Sequence, residues 1–183
     1  MSKIGYFVGI DPGATGAVAI VLVSGKLHTW AKFDRRDPLQ VLDLILDPLI
    51  TNHFGEFSVG LENVHAAPGQ GVVSMFSFGK ALGRLEGWLR AYDIAPEQVS
   101  PQVWQRWLPG GEESDGPKDR ARKGAAAKWG LSRFLEDDCR VPHTGGIDAA
   151  GIAEFLRLQA TGEIKPFLTT TGRKKKRLRP IRF

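Results

Sequence analysis

The stretch YFVGIDPGATGAVAIV, residues 6–21, constrains this chain more than any other part of it. Residues 4–10 are rich in β-formers, as are residues 17–23, and Pro12-Gly13-Ala14-Thr15-Gly16 between them reads as a turn. An aspartate, Asp11, therefore stands where an apolar strand ends, with neighbouring strands expected on both sides. A lone carboxylate is expensive to bury. Asp11 needs the turn amides of Gly13 to Gly16, a cation, or a bound metal.

Ser24-Gly25-Lys26 turns the chain into a third strand at 27–33, which makes a three-strand meander. Asp37-Pro38 supplies a helix cap and a first-position proline, LQVLDLIL follows at helical spacing, and Pro48 is expected to end or kink that helix. A fourth strand at 56–62 ends on Glu62. A glycine-rich connection then leads to a helix at about 74–92, a short strand near 97–100 and a helix in PQVWQRWL. The polar loop PGGEESDGP precedes a basic helix at 118–129, and a last helix is expected to start near Ile147 or Asp148. The order βββαβαβα describes an α/β protein with a mixed sheet and helices on both faces. Gly79, Gly83 and Gly87 fall one per turn on one helix face, at about 1 kcal/mol each against alanine. Close approach of another backbone, either the sheet or a partner helix, is the expected reason.

A chain of 183 residues fits one domain with a substantial core. It contains no apolar run long enough to span a membrane. Its single cysteine rules out an internal disulfide and suggests a reducing, cytoplasmic setting. Charge is unevenly placed: residues 173–183, RKKKRLRPIRF, hold seven Lys or Arg and no acid. Without them 18 basic residues face 20 acidic ones, and the formal charge drops from +5 to −2. The expected organisation is a domain over 1–165 and a basic, flexible tail over 166–183. A polyanion such as nucleic acid suits that tail.

Glu62 raises the same difficulty as Asp11, since a crossover sheet can pair its strand beside the first. Asp148 opens the last helix, either as its N-cap or as a third acid at the same sheet edge. Three acids together repel one another unless divalent cations hold them. Oxygen-only ligands suit Mg²⁺ or Mn²⁺, and two such ions clamping attacking and leaving oxygens is the logic of phosphodiester hydrolysis.

The segments GIDPGATGAVAIV, GLENVH, SPQVWQRWL with KDRARKGAAAKWG, and HTGGIDAAGIAEFL occur in that order. In this combination, over residues 4–158, the chain resembles the RuvC-like Holliday junction resolvases of the RNase H-like superfamily, particularly the short bacteriophage versions. The resemblance implies an RNase H-like five-stranded sheet and a homodimeric, Mg²⁺-dependent endonuclease with two ions per site. It implies symmetric nicking of four-way or other branched DNA, in a bacterial cell or phage-infected host. It assigns metal-binding and catalytic roles to Asp11, Glu62 and Asp148. Relatives usually carry a further ligand just before the last aspartate; here Thr144, Gly145 and Gly146 fill that interval, so His143 becomes the expected ligand or general base.

For DNA, HAAPGQGVVSMFSFGK follows Glu62 after Asn63 and Val64 and offers His65, Gln70, Phe76 or Phe78, and Lys80. An aromatic there can stack on a base at an opened junction. Lys118 and Arg122 share a helix face, with Lys123 beside them, and the matching segment of relatives faces DNA. Arg173, Lys174, Lys175 and Lys176 would add salt-sensitive affinity. Two other readings compete. One is a branched-DNA binder without turnover. The other is an ATP-binding protein of the actin or sugar-kinase kind, suggested by DPGATG, although the chain has only one such hairpin and no P-loop. No nucleotide cofactor and no membrane partner are expected. Cys139 and His143 have ligand-like spacing for zinc, with no second pair nearby.

Overall fold

In the computed structural model, β1 (Tyr6–Asp11), β2 (Ala17–Leu22) and β3 (Leu27–Lys32) form the expected antiparallel meander. The chain then crosses through α1 (Pro38–Thr51) to β4 (Phe57–Glu62), which pairs with β1 in parallel. After α2 (Val72–Ala91), the three-residue β5 (Glu97–Val99) adds a second parallel pairing beside β4. The sheet order is β3-β2-β1-β4-β5, the mixed five-stranded arrangement expected. A four-residue helix, α3 (Pro101–Trp104), continues into a 3₁₀ turn, followed by α4 (Pro117–Trp129) and α5 (Thr144–Ala160). The structure describes residues 5–13, 15–33, 37–51, 56–64, 69, 71–108, 110, 112, 115–136 and 139–164.

Strand alternation divides the core into two layers. Val8, Ile10, Val18, Ile20, Val59 and Leu61 point to one face and pack with Leu42 and Leu46 of α1 and Leu85 and Leu89 of α2. Phe7, Ala17, Ala19 and Val21 point to the other and pack with Ala149, Ile152, Ala153 and Phe155 of α5, and with Trp104 and Phe134. Because side chains alternate along a strand, Asp11 shares the α5 face with Phe7, and Glu62 lies opposite in facing to Leu61. The register brings Ile10 level with Leu61, so the two acids that follow stand side by side at the ends of adjacent parallel strands.

Helix α5 lies almost directly on the sheet. A Cβ at position 9 would sit 1.9 Å from the Ala149 carbonyl oxygen, so only glycine fits at the centre of β1. Buried within the same helix, Glu154 is bonded bidentately by Arg157 at 2.8 Å and paired with Lys128 at 2.8 Å, which compensates its charge.

Three expectations are corrected. Helix α5 begins at Thr144, several residues before Ile147, because His143 caps it and the two glycines that follow are needed for packing. Of the two outcomes expected at Pro48, an end to α1 is excluded, because the helix runs on to Thr51. A Cβ on Gly79, Gly83 or Gly87 would meet nothing within 4 Å, so no other segment of the described chain approaches that face of α2. The sheet is therefore not the reason for those glycines.

Candidate active site

The two strand acids are held by different donors. Asp11 Oδ1 accepts the Gly13 backbone N–H at 2.9 Å, an interaction made within the turn itself. Glu62 is 8% exposed, and its Oε1 accepts the indole N–H of the fully buried Trp104 at 3.2 Å. Asp148 comes from the second turn of α5, half-buried, on the helix that covers this face of the sheet.

Charge couples these three side chains. Burial pushes the Asp11 carboxyl above its ordinary range, opposed by the Gly13 N–H. Glu62 is raised to about 7, first by burial and then by the negative charge of Asp11, with the Trp104 bond pulling the other way. Asp148 is raised to about 8 by burial and by the charges of Asp11 and Glu62, with Lys118 opposing. Three carboxylates from β1, β4 and α5 thus share one electrostatic neighbourhood. Among the described residues, no three His, Cys, Asp or Glu side chains are gathered tightly enough to constitute a ready metal cluster. The donor set nevertheless suits a hard divalent cation: all oxygen, acidic, at least half-buried, and destabilised as anions until positive charge arrives. In this arrangement Asp11 Oδ2 and Glu62 Oε2 accept no hydrogen bond from the described residues.

His143, the expected ligand or general base, stands at the start of α5. Its Nδ1 accepts the Gly146 backbone N–H at 3.0 Å, as the N-cap of α5. Its ring stacks on Trp30, with centroids 5.3 Å apart, and its Nε2 lies 3.9 Å from Glu136 Oε1. Glu136 is also bonded by Lys32. Gly145 and Gly146 leave no room for a further side chain: a Cβ on Gly145 would stand 2.2 Å from the Thr15 carbonyl oxygen, and one on Gly146 would strike the Trp30 ring at 2.6 Å. Cys139 is exposed and its thiol donates to the Val141 carbonyl.

Of the two phenylalanines considered for stacking, Phe76 is 74% exposed and Phe78 half-buried. Val72 and Val73 beside Phe76 are exposed as well, as is Lys80. Lys118 and Arg122 are exposed on α4, and Lys118 lies near enough to act on Asp148. Lys123, expected with them, is paired with Asp115 at 2.5 Å. His65, Gln70, Arg173, Lys174, Lys175 and Lys176 lie outside the described residues.

Sequence reasoning missed Trp104 as the support of Glu62, and it missed the Trp30–His143–Glu136–Lys32 group. A signal for the first existed: a tryptophan in a buried segment needs a partner for its N–H, and β4, paired with the strand just before it, ends on an acid.

A mixed five-stranded sheet flanked by helices, with acids at the ends of its first and fourth strands, defines an RNase H-like α/β domain. Within that class the chain has a RuvC-like fold. It is similar to the solved structure of T. thermophilus RuvC in complex with Holliday junction substrate, with a TM-score of 0.57 and 17% identity over 86% of this chain and 96% of that one. A second Thermus thermophilus RuvC structure matches with a TM-score of 0.53 and 19% identity, over 85% and 95% of the two chains. No family model and no curated protein sequence matches the chain. No helix among the described residues is long and apolar enough to cross a membrane.

Proposed function

We propose that this protein is a structure-specific endodeoxyribonuclease that hydrolyses phosphodiester bonds in Holliday junctions and other branched DNA. The observation that carries this reading is the meeting of Asp11 and Glu62 at the ends of adjacent parallel strands on a RuvC-like fold, with Asp148 of α5 within reach of both charges. Acids withdrawn from water and raised to about 7 and 8 have a purpose if a cation displaces their protons. The similar T. thermophilus RuvC was solved with a junction substrate, which supports branched DNA as the ligand class.

In this reading Asp11, Glu62 and Asp148 hold Mg²⁺, with Mn²⁺ able to substitute. Two bound ions would activate water and neutralise charge on the attacking and leaving oxygens. The chain's own residues do the rest. Gly13 and Trp104 each fix one carboxylate oxygen, leaving the other of each pair for the cation. Lys118 and Arg122, exposed on α4, would serve as phosphate contacts, and exposed Phe76 would stack on a base. The tail at 166–183 contributes sequence-independent affinity to the domain over 1–165. The open glycine face of α2, beside exposed Val72, Val73 and Phe76, is the surface offered to a second copy, since paired cuts need two sites about a two-fold axis.

The test is incubation of the full chain with a labelled four-way junction and Mg²⁺, beside linear duplex. Nicks in the junction are expected. Asp11→Asn should reduce nicking at least about 10³-fold with junction binding retained, because the acid serves the metal and not the DNA. A fully active Asp11→Asn protein would refute the assignment. Binding without nicks in Mg²⁺ or Mn²⁺ would favour the non-catalytic binder, a reading that the closed position at Gly145 keeps relevant.

A further inference from the structure

We infer that His143 is a positioning residue that fixes Asp148 by capping α5, and that it supplies neither a metal ligand nor a general base. The inference rests on the nuclease reading for its consequence, and on geometry for its substance. Four observations converge on it. Nδ1, one of the two nitrogens a neutral imidazole could offer a metal, is occupied as acceptor for the Gly146 N–H at 3.0 Å. That assigns the ring proton to Nε2, which lies 3.9 Å from Glu136 Oε1. The ring is stacked on Trp30, and Trp30 donates its own N–H to the Arg133 carbonyl at 2.8 Å, so the stacking surface is itself fixed. Finally, the His143 backbone N–H donates to the Phe134 carbonyl at 2.8 Å, which secures the residue before the helix begins.

The mechanical need for a cap is specific to this chain. Gly145 and Gly146 occupy the first turn of α5, where glycine is the poorest ordinary helix former. They cannot be exchanged for better formers, because the Thr15 carbonyl and the Trp30 ring stand where a Cβ would go. A first turn that close packing obliges to be glycine must be stabilised from outside, and the cap supplies a partner for one of its unpaired N–H groups. Asp148 follows within the next turn. Fraying of Thr144 to Gly146 would let its carboxylate drift from Asp11 and Glu62.

Comparison of His143→Ala with His143→Ser tests this. Both remove the ring from Trp30, so the difference between them isolates the capping acceptor. In metal-free protein, the serine variant should melt about 2–4 °C above the alanine variant. Its Gly146 amide should also exchange more slowly. In the junction assay the alanine variant should lose roughly 10- to 100-fold in nicking through misplacement, and serine should recover most of that loss. Serine that restores melting without restoring nicking would overturn the inference, since the imidazole would then be doing chemistry. Equal melting of the two variants would overturn it as well, by removing the cap. If wild-type protein cuts no junction in either metal, the nuclease reading fails, and the melting pair still decides whether His143 caps the helix.

Discussion

Replacing Trp104 by phenylalanine separates the support of Glu62 from the packing around it. Trp104 is fully buried and its indole N–H is the only donor given to Glu62 among the described residues. Phenylalanine keeps a ring against Gly151, which lies in close contact with the indole, and deletes the donor. The lost ring atoms cost on the order of 1–2 kcal/mol. The lost hydrogen bond costs about 1 kcal/mol while Glu62 is protonated and about 1.5–3 kcal/mol when it is ionised. The sum, about 2–5 kcal/mol, corresponds to a melting point lower by roughly 5–15 °C for a chain of this size. The functional consequence has a definite sign. The Trp104 bond is the one influence lowering the Glu62 pKa from about 7, so its removal raises that value further. More of the acid is then protonated at neutral pH, and nicking at fixed Mg²⁺ should recover only at higher pH than in wild type. Nicking of a labelled junction measured from pH 6 to 9, beside thermal melts, reads both effects. Trp88→Phe is the control: it deletes the analogous bond to Asp43 at 2.7 Å on the opposite face of the sheet. It should lower the melting point and leave the pH profile in place. A Trp104→Phe profile that superimposes on wild type would refute the reasoning.

Stability itself should depend on pH and metal. Glu62 and Asp148 bind protons more tightly folded than unfolded, so in chelator their contribution to stability is full below the unfolded carboxylate range and is lost as pH rises through about 7 and 8. Melting points of metal-free protein should therefore fall across that window, and added Mg²⁺ should restore them most at its upper end. A pH-independent melting point would show that these acids are not perturbed. Deletion of residues 173–183 removes seven positive charges. The dependence of junction affinity on salt should flatten, by up to about six in the slope of log K against log salt if every charge meets a phosphate. An unchanged slope would leave the tail without a DNA role.

Much of the site was legible because strands obey a short period. An apolar run that ends in an acid fixes which face the acid points to, and the meander followed by a crossover placed β1 beside β4. Asp11 and Glu62 follow from those two rules. The last helix was less legible. Gly145 and Gly146 have poor helix propensity, which puts the expected helix start near Ile147 or Asp148, yet contact with Thr15 and Trp30 makes them the only residues that fit. The glycines of α2 carried the opposite lesson: their regular spacing suggested contact, and the described chain brings nothing to them.

The sequence by itself determined the element order, the layering of the sheet and the pairing of two acids at its edge, because hydrophobic period and turn chemistry are local properties. Only the tertiary structure decided that Trp104 holds Glu62, that Trp30 donates to the Arg133 carbonyl, and that Lys32 reaches Glu136. Those outcomes depend on which side chains from distant segments arrive at the same place, and hydrogen-bond partners more than 40 residues apart in sequence leave no periodic trace along it.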